Sequence, residues 1–163
     1  MSFFRKPETR FVVIDRGIGT QESLAPDTFE TTFLSVCRHL FESFQKPESE
    51  CWMNAFMEAE QRFPPPYGAT LAHAITIALR ELRTARQISF SYHKHGSLTA
   101  ESAVTEDERY LVLTLRTIRE GRLSEARSNA IMLCAGGDSN GLLSALERIC
   151  VLTGEIEDLR FQG

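Results

Sequence analysis

Residues 27–44 read DTFETTFLSVCRHLFESF, and this stretch decides the fold class. Asp27 followed by Glu30 is typical of a capping box, in which two side chains accept hydrogen bonds from the free amides at a helix start. One face of the helix then carries apolar side chains at helical spacing: Phe29, Phe33, Val36, Leu40 and Phe44. Lys46 should end the helix, because a residue before proline disfavours α geometry. The stretch therefore predicts an amphipathic helix that needs packing partners.

The same kind of pattern recurs along the chain. Pro47 suits the first turn of a second helix. A third helix is predicted over about residues 69–86, with an inner face that includes Leu71, Ile75, Leu79 and Leu82. Thr105 begins a second capping box. Two further helices follow, the first capped by Ser124 and the last ended by Gly154. We therefore predict a mainly α, single-domain helical bundle of five or six helices, built of antiparallel hairpins because the connections are short.

Two short segments carry a strand pattern. Residues 10–15, RFVVID, form a β-branched run, and residues 88–92 alternate apolar with polar side chains. The second segment could also continue the third helix, so both strand and helix stay open for residues 87–97. We predict at most one minor strand pair beside the bundle.

Length and composition are those of an ordinary globular protein. The 163 residues are most simply one domain, and 42% of them are hydrophobic and 25% charged. We assign residues 27–154 to the helical domain, residues 1–26 to an N-terminal extended segment and loop, and residues 155–163 to a frayed C-terminal tail.

Charge and hydropathy limit the classes of partner and the cellular compartment that we expect. The net charge of −4 argues against a general nucleic-acid binder. The N-terminus lacks the apolar core of a signal peptide, and no stretch approaches the roughly 20 apolar residues of a membrane span. We therefore expect a cytoplasmic protein with neither nucleic acid nor membrane as a partner. In that reducing compartment the four widely spaced cysteines are interpreted as small buried hydrophobic residues.

The segment around His93 and His95 offers a candidate metal site. In a strand the two imidazoles would point to one face, and Zn²⁺ accepts imidazole ligands. A closed site needs two more ligands, for which Glu101 or a distant cysteine is available. The alternative is a solvated polar turn before Gly96. His39, at the border of its apolar stripe, is either a metal or haem ligand or a hydrogen-bonded histidine. Zn²⁺ aside, no cofactor is predicted.

Aromatic and methionine side chains are concentrated in the second helix and the proline-rich segment after it. Helical spacing predicts an inner stripe on this helix, with two methionines beside it: the stripe is Trp52, Phe56, Ala59 and Phe63, and the methionines are Met53 and Met57. A groove for an apolar ligand or a protein partner could be lined by Trp52, Phe56, Met57, Phe63 and Tyr67. The alternative is that these side chains belong to the core.

A glycine-rich loop precedes the last helix. Backbone amides of Gly137, Ser139 and Asn140 could converge on an anion at the helix start. However, the loop matches neither the dinucleotide-binding nor the P-loop pattern, and an ordinary helix connection explains it equally well.

No catalytic motif accompanies these features. Apolar helical surface without clustered polar chemistry favours a non-enzymatic interaction or regulatory protein that self-associates as a homodimer and binds an unidentified protein partner. The alternative is a metal- or small-ligand-binding protein that uses the histidine segment or the aromatic groove. An enzyme whose site assembles from scattered residues is a third hypothesis.

Overall fold

The computed structural model describes residues 10–13, 26–95 and 104–161, with side chains of the last helix described to residue 158. Six helices and a two-stranded sheet form this part of the chain, which confirms the mainly α prediction. The elements are β1 (Phe11–Val13), α1 (Thr28–Gln45), α2 (Cys51–Arg62), α3 (Tyr67–Ala85), β2 (Phe90–Tyr92), α4 (Glu106–Arg119), α5 (Leu123–Leu133) and α6 (Asn140–Phe161). Most of the predicted segment 1–26 lies outside the described residues, as do the candidate residues Gly96 and Glu101. None of the helices described is both long enough and apolar enough to cross a membrane.

Helix α3 is the centre of the bundle. It packs against α6 on one side and against α2 and α1 on the other, while α4 and α5 form a hairpin beside them. Its large buried side chains follow the predicted inner face: Leu71, Ile75, Leu79 and Leu82. Burying one such side chain contributes about 1.5–3 kcal/mol, so this single face accounts for a large part of the packing energy.

Both predicted capping boxes are present. At the start of α1, the Glu30 amide donates to Asp27 Oδ1 at 2.8 Å and the Asp27 amide donates to Glu30 Oε2 at 3.2 Å. At the start of α4, the Glu108 amide donates to Thr105 Oγ1 at 3.0 Å and the Thr105 amide donates to Glu108 Oε2 at 2.9 Å. These two helix starts could be predicted because a capping box is a purely local signal.

Replacing Asp27 with alanine should remove the α1 cap and cost about 1 kcal/mol of unfolding free energy at pH 7. Burial raises the pKa of Asp27, but the Glu30 amide and the Arg119 guanidinium outweigh it and hold the pKa below its ordinary value of 3.8. The ionised Asp27 side chain therefore makes its full contribution to the unfolding free energy above pH 3.8, the pKa of an ordinary aspartate. This contribution is lost as the pH falls through the lower pKa that Asp27 has in the folded protein.

Urea unfolding from pH 7 to pH 2.5 measures this effect. The difference between wild type and Asp27→Ala should narrow at the acid end. Asp27→Asn is the matched control, because it keeps a capping oxygen without the charge. A difference between wild type and Asp27→Ala that does not change with pH would contradict the assignment.

The two strands pair in parallel, with Phe11 opposite Phe90 and Val13 opposite Tyr92. This resolves the choice left open for residues 87–97 in favour of a strand over residues 90–92. The rings of Phe11 and Phe90 meet edge to face across the pair with centroids 5.5 Å apart, and Phe11 also stacks on Phe41 of α1 at 4.8 Å. Helices α1 to α3 therefore form the crossover between the strands.

The start of the second helix differs from the prediction. Pro47 begins a separate 3₁₀ turn, Pro47–Ser49, and α2 starts only at Cys51. Between them Glu50 has φ of 55°, a left-handed backbone that interrupts the helical hydrogen bonds. Pro47 therefore does not lie in the first turn of α2.

Two predicted helix ends were wrong. Helix α5 begins at Leu123, so Ser124 lies inside its first turn and is not the cap. Helix α6 continues through Gly154 to Phe161. Ile156 is buried, and its packing extends the helix beyond a glycine that alone favours an end. Residues 155–161 therefore belong to α6 and not to a frayed tail.

A buried carboxylate fixes the chain after β2. Glu108 is fully buried and forms an ion pair with Arg38 of α1, with Arg38 Nε 2.7 Å from Glu108 Oε1. The backbone amide of His93 donates to the same Glu108 oxygen at 3.2 Å. The segment 93–95 is thus attached to α1 and α4, which places its side chains beside α1.

Candidate functional site

Three side chains from separate parts of the sequence meet beside α1. One ligand atom from each of His39, Glu58 and His95 lies within 4.8 Å of the other two. His39 Nε2 is 3.1 Å from Glu58 Oε2, and His95 Nε2 is 3.7 Å from the same oxygen. The two imidazole rings lie against each other, with centroids 3.9 Å apart. We call this group the His–Glu–His cluster.

The helices bring these groups together. Ser35 and His39 are one turn apart on α1, so both face α2, which carries Glu58. The Ser35 hydroxyl lies 2.8 Å from each Glu58 oxygen and donates to the carboxylate. His95 follows β2 and completes the cluster from the solvent side, with 43% of its side chain exposed.

The cluster holds Glu58 in its charged form. Burial raises the pKa of the carboxyl group, but hydrogen bonds from His39 and Ser35 and the charges of the two histidines outweigh burial and leave the pKa of Glu58 below its ordinary value. A carboxylate is therefore present at neutral pH, beside two imidazoles. One carboxylate and two imidazoles can together act as ligands for a cation.

The predicted pair of His93 and His95 is not brought together as a site. Strand β2 ends at Tyr92, so the alternation that would align the two imidazoles does not extend to them. His93 is buried and is not a member of the His–Glu–His cluster, whereas His95 is. A metal site that uses both His93 and His95 stays a prediction, because Glu101, its suggested further ligand, lies outside the described residues.

Sequence reasoning noted His39 and missed Glu58. A charged residue on an amphipathic helix is normally a solvated side chain, and nothing in the spacing of α2 marks Glu58 as different. The available signal was the pair Ser35 and His39 at i and i+4, two polar residues beside an otherwise apolar stripe.

Helix α2 has an unusual distribution of buried and exposed side chains. Its fully buried residues are Ala55 and Ala59, whereas Trp52 is 50% and Met57 is 52% exposed. Met53 is also exposed. We call Trp52, Met53 and Met57 the α2 outer face. The predicted inner stripe of large side chains on this helix is therefore wrong in part.

Close packing of α2 against α3 explains why the alanines of α2 are buried and its large apolar side chains are exposed. A Cβ atom on Gly68 would lie 2.5 Å from Glu60 Cα and 2.7 Å from the Ala59 carbonyl oxygen. The backbones are so close that only small side chains fit between the helices. Alanines therefore fill the contact and the large apolar residues remain outside.

The residues of the predicted aromatic groove are divided between the exposed α2 outer face and positions that pack against the core. Trp52 and Met57 lie on the outer face, while Phe56 and Phe63 are partly buried and pack against the core. Tyr67 begins α3 and is partly exposed. The rings of Trp52 and Phe56 meet edge to face at 6.3 Å, so the exposed tryptophan rests on a side chain anchored in the core.

The glycine-rich loop is already occupied by carboxylates. Asp138 Oδ1 accepts a hydrogen bond from the Asn140 amide at 3.0 Å. The Glu81 carboxylate is so close to Gly141 that an added Cβ would lie 2.3 Å from its oxygen. An anion at Gly137, Ser139 and Asn140 would meet both negative charges, so the structure gives that prediction no support.

The four cysteines are free thiols, of which two are buried as predicted and two, Cys51 and Cys150, are only partly buried. All four are unpaired by disulfides, and Cys37 and Cys134 are buried. Burial raises the pKa of Cys134 and of Cys150 to about 11, so these thiols are protonated at neutral pH. They do not contribute to the His–Glu–His cluster.

Comparison of the chain with protein-family models, curated proteins and solved structures found no match. Function therefore has to be inferred from the arrangement of the side chains themselves.

Proposed function

We propose that the protein is a non-enzymatic, cytoplasmic interaction protein that forms a homodimer through the α2 outer face. The observation that carries the proposal is the inverted burial of α2, which buries Ala55 and Ala59 and exposes Trp52, Met53 and Met57. Single exposed apolar residues are common on monomers. A tryptophan and two methionines on one short helix are typical of interaction surfaces, where these residue types are enriched.

The expected strength of the dimer follows from the size of this surface. A symmetric contact removes six half-exposed large side chains from water, which contributes on the order of 5–9 kcal/mol. Association costs about 4 kcal/mol or more in lost translational and rotational freedom. The surplus, at most about 5 kcal/mol, corresponds to a dissociation constant of about 200 µM, and contacts between charged residues at the rim would strengthen the dimer.

The charges at the ends of α2 favour an antiparallel second copy as the partner. Exposed Glu48 and Glu50 precede the helix, and exposed Arg62 ends it. A two-fold axis perpendicular to α2 makes the two helices antiparallel, so that Arg62 of each copy lies near the acidic end of the other. Opposite charges at a rim fix orientation and register.

Replacing Met57 with lysine should abolish the dimer at concentrations up to 200 µM. The change places one charge from each copy in the symmetric contact, and we expect the dissociation constant to rise at least about 30-fold, or roughly 2 kcal/mol. Sedimentation equilibrium from 1 to 200 µM measures it. Ile131→Lys is the matched control, because Ile131 of α5 is equally exposed, at 52%, and lies outside the α2 outer face.

A charge exchange tests the antiparallel orientation separately. Arg62→Glu should weaken the dimer, and adding Glu50→Arg should restore it, because the opposite charges are then re-paired across the contact. A wild-type protein that remains monomeric at 200 µM would refute the homodimer. Equal weakening by Ile131→Lys would refute the assigned surface.

A further inference from the structure

We propose that His39, Glu58 and His95 bind one Zn²⁺ ion and leave a fourth coordination position open to water. This site lies between α1, α2 and the segment after β2, and it does not depend on self-association.

Two of the three ligand separations are close to those of a zinc site, and all three ligand atoms lie within 4.8 Å of one another. Imidazole nitrogen and carboxylate oxygen bind Zn²⁺ at about 2.0–2.2 Å in a tetrahedron, which places neighbouring ligand atoms about 3.4 Å apart. The two histidine Nε2 atoms lie 3.1 Å and 3.7 Å from Glu58 Oε2. Rotation of the imidazole side chains, of which that of His95 is 43% exposed, would bring the third pair of ligand atoms to this spacing.

The chemistry of the ligands selects the kind of metal. Mg²⁺ and Ca²⁺ prefer sets of oxygen ligands, whereas imidazole nitrogen is suited to Zn²⁺ and its transition-metal neighbours. The cluster combines two imidazoles with one carboxylate, which is a set used at zinc sites with an open position. The single negative charge of Glu58 also offsets part of the charge of a divalent cation.

Neighbouring side chains restrict the orientation of the ligands in the cluster. Ser35 donates to the Glu58 carboxylate at 2.8 Å and so restricts its orientation. Partners of this kind orient metal ligands, and their removal typically weakens metal affinity 10- to 100-fold. Both histidines approach the same carboxylate oxygen, so one ligand atom from each of the three groups is available within a small volume.

Access is from the side of His95. Its side chain is 43% exposed, whereas those of His39 and Glu58 are only 14% and 17% exposed. An ion would therefore bind to two fixed ligands on the helices and one ligand on the solvent side. The remaining position faces solvent and would hold a water molecule.

Zinc titration of the full chain, in competition with a chromophoric chelator, tests the proposal. We expect one Zn²⁺ per chain with a dissociation constant below about 10 µM. Glu58→Gln and His95→Asn should each weaken binding at least about 100-fold, and Ser35→Ala about 10-fold. His73→Asn is the matched control, because His73 is an exposed histidine of α3 outside the cluster.

Two further measurements make the outcome unambiguous. Co²⁺ in place of zinc should give visible absorption bands of a four-coordinate site, which His95→Asn should remove. Circular dichroism without metal checks each fold, and His95→Asn is decisive because its side chain is the most exposed ligand. Absence of stoichiometric zinc in the wild type, or equal affinity in His95→Asn, would overturn the site. Met57→Lys should bind zinc normally, which separates this result from the test of the dimer.

Discussion

Replacing Glu108 with glutamine is expected to lower the unfolding free energy by about 3–5 kcal/mol, because removing one partner of a buried ion pair leaves the other charge uncompensated. Glu108 is fully buried and accepts hydrogen bonds from Arg38 Nε at 2.7 Å and from a second Arg38 nitrogen at 3.0 Å. The backbone amides of Thr105 and His93 also donate to it. A glutamine has only one acceptor oxygen, so these four donors cannot all be satisfied.

Thermal and urea unfolding measure this loss. A decrease of 3–5 kcal/mol should lower the melting temperature by about 10 °C in a chain of this size. Glu125→Gln is the matched control, because Glu125 is an exposed glutamate near a helix start and pairs with Arg122 at the surface. Surface ion pairs contribute about 0–1 kcal/mol. A Glu108→Gln variant within 1 kcal/mol of wild type would show that the buried pair is not a major stabilising contact.

Replacing Gly68 with alanine should destabilise the protein by about 2–3 kcal/mol through steric overlap. The new Cβ would lie 2.5 Å from Glu60 Cα and 2.7 Å from the carbonyl oxygen of Ala59. Both are backbone atoms and cannot rotate away, so α2 and α3 must separate. The separation would also expose part of Ala55 and Ala59, which fill the contact.

The same glycine-to-alanine change at Gly154 should have the opposite sign. Gly154 lies inside α6, and a Cβ there would have no heavy-atom neighbour within 4 Å. Alanine is favoured over glycine in a helix interior by about 0.5–1 kcal/mol. Urea unfolding of the two variants should therefore show a loss for Gly68→Ala and a gain for Gly154→Ala. Two losses of similar size would contradict the steric explanation.

The sequence predicted those parts of the fold that depend on local signals. The starts of α1 and α4 follow from capping boxes at Asp27 and Thr105, and the inner face of α3 follows from helical periodicity. Ends that depend on tertiary packing were missed. Gly154 resembles a stop signal, but the buried side chain of Ile156 continues the helix.

The candidate sites were less predictable because they depend on contacts between elements. Alanines and aromatic residues recur with the same helical period in α2, so periodicity could not show that Ala55 would be buried and Trp52 exposed. The close approach of the α2 and α3 backbones at Gly68 determines which side of α2 is buried. The His–Glu–His cluster joins residues from α1, α2 and the segment after β2, and no spacing in the sequence connects them.

The parallel pairing of β1 with β2 has a consequence for the order of folding. Phe11 and Phe90 are about 80 residues apart in the chain, and closing so long a loop costs conformational entropy before any strand hydrogen bond forms. Helices α1 to α3 contain mostly local contacts and shorten that distance when they pack. The helices should therefore compact first, and strand pairing should follow as the step that joins the amino-terminal end of the chain to an assembled bundle.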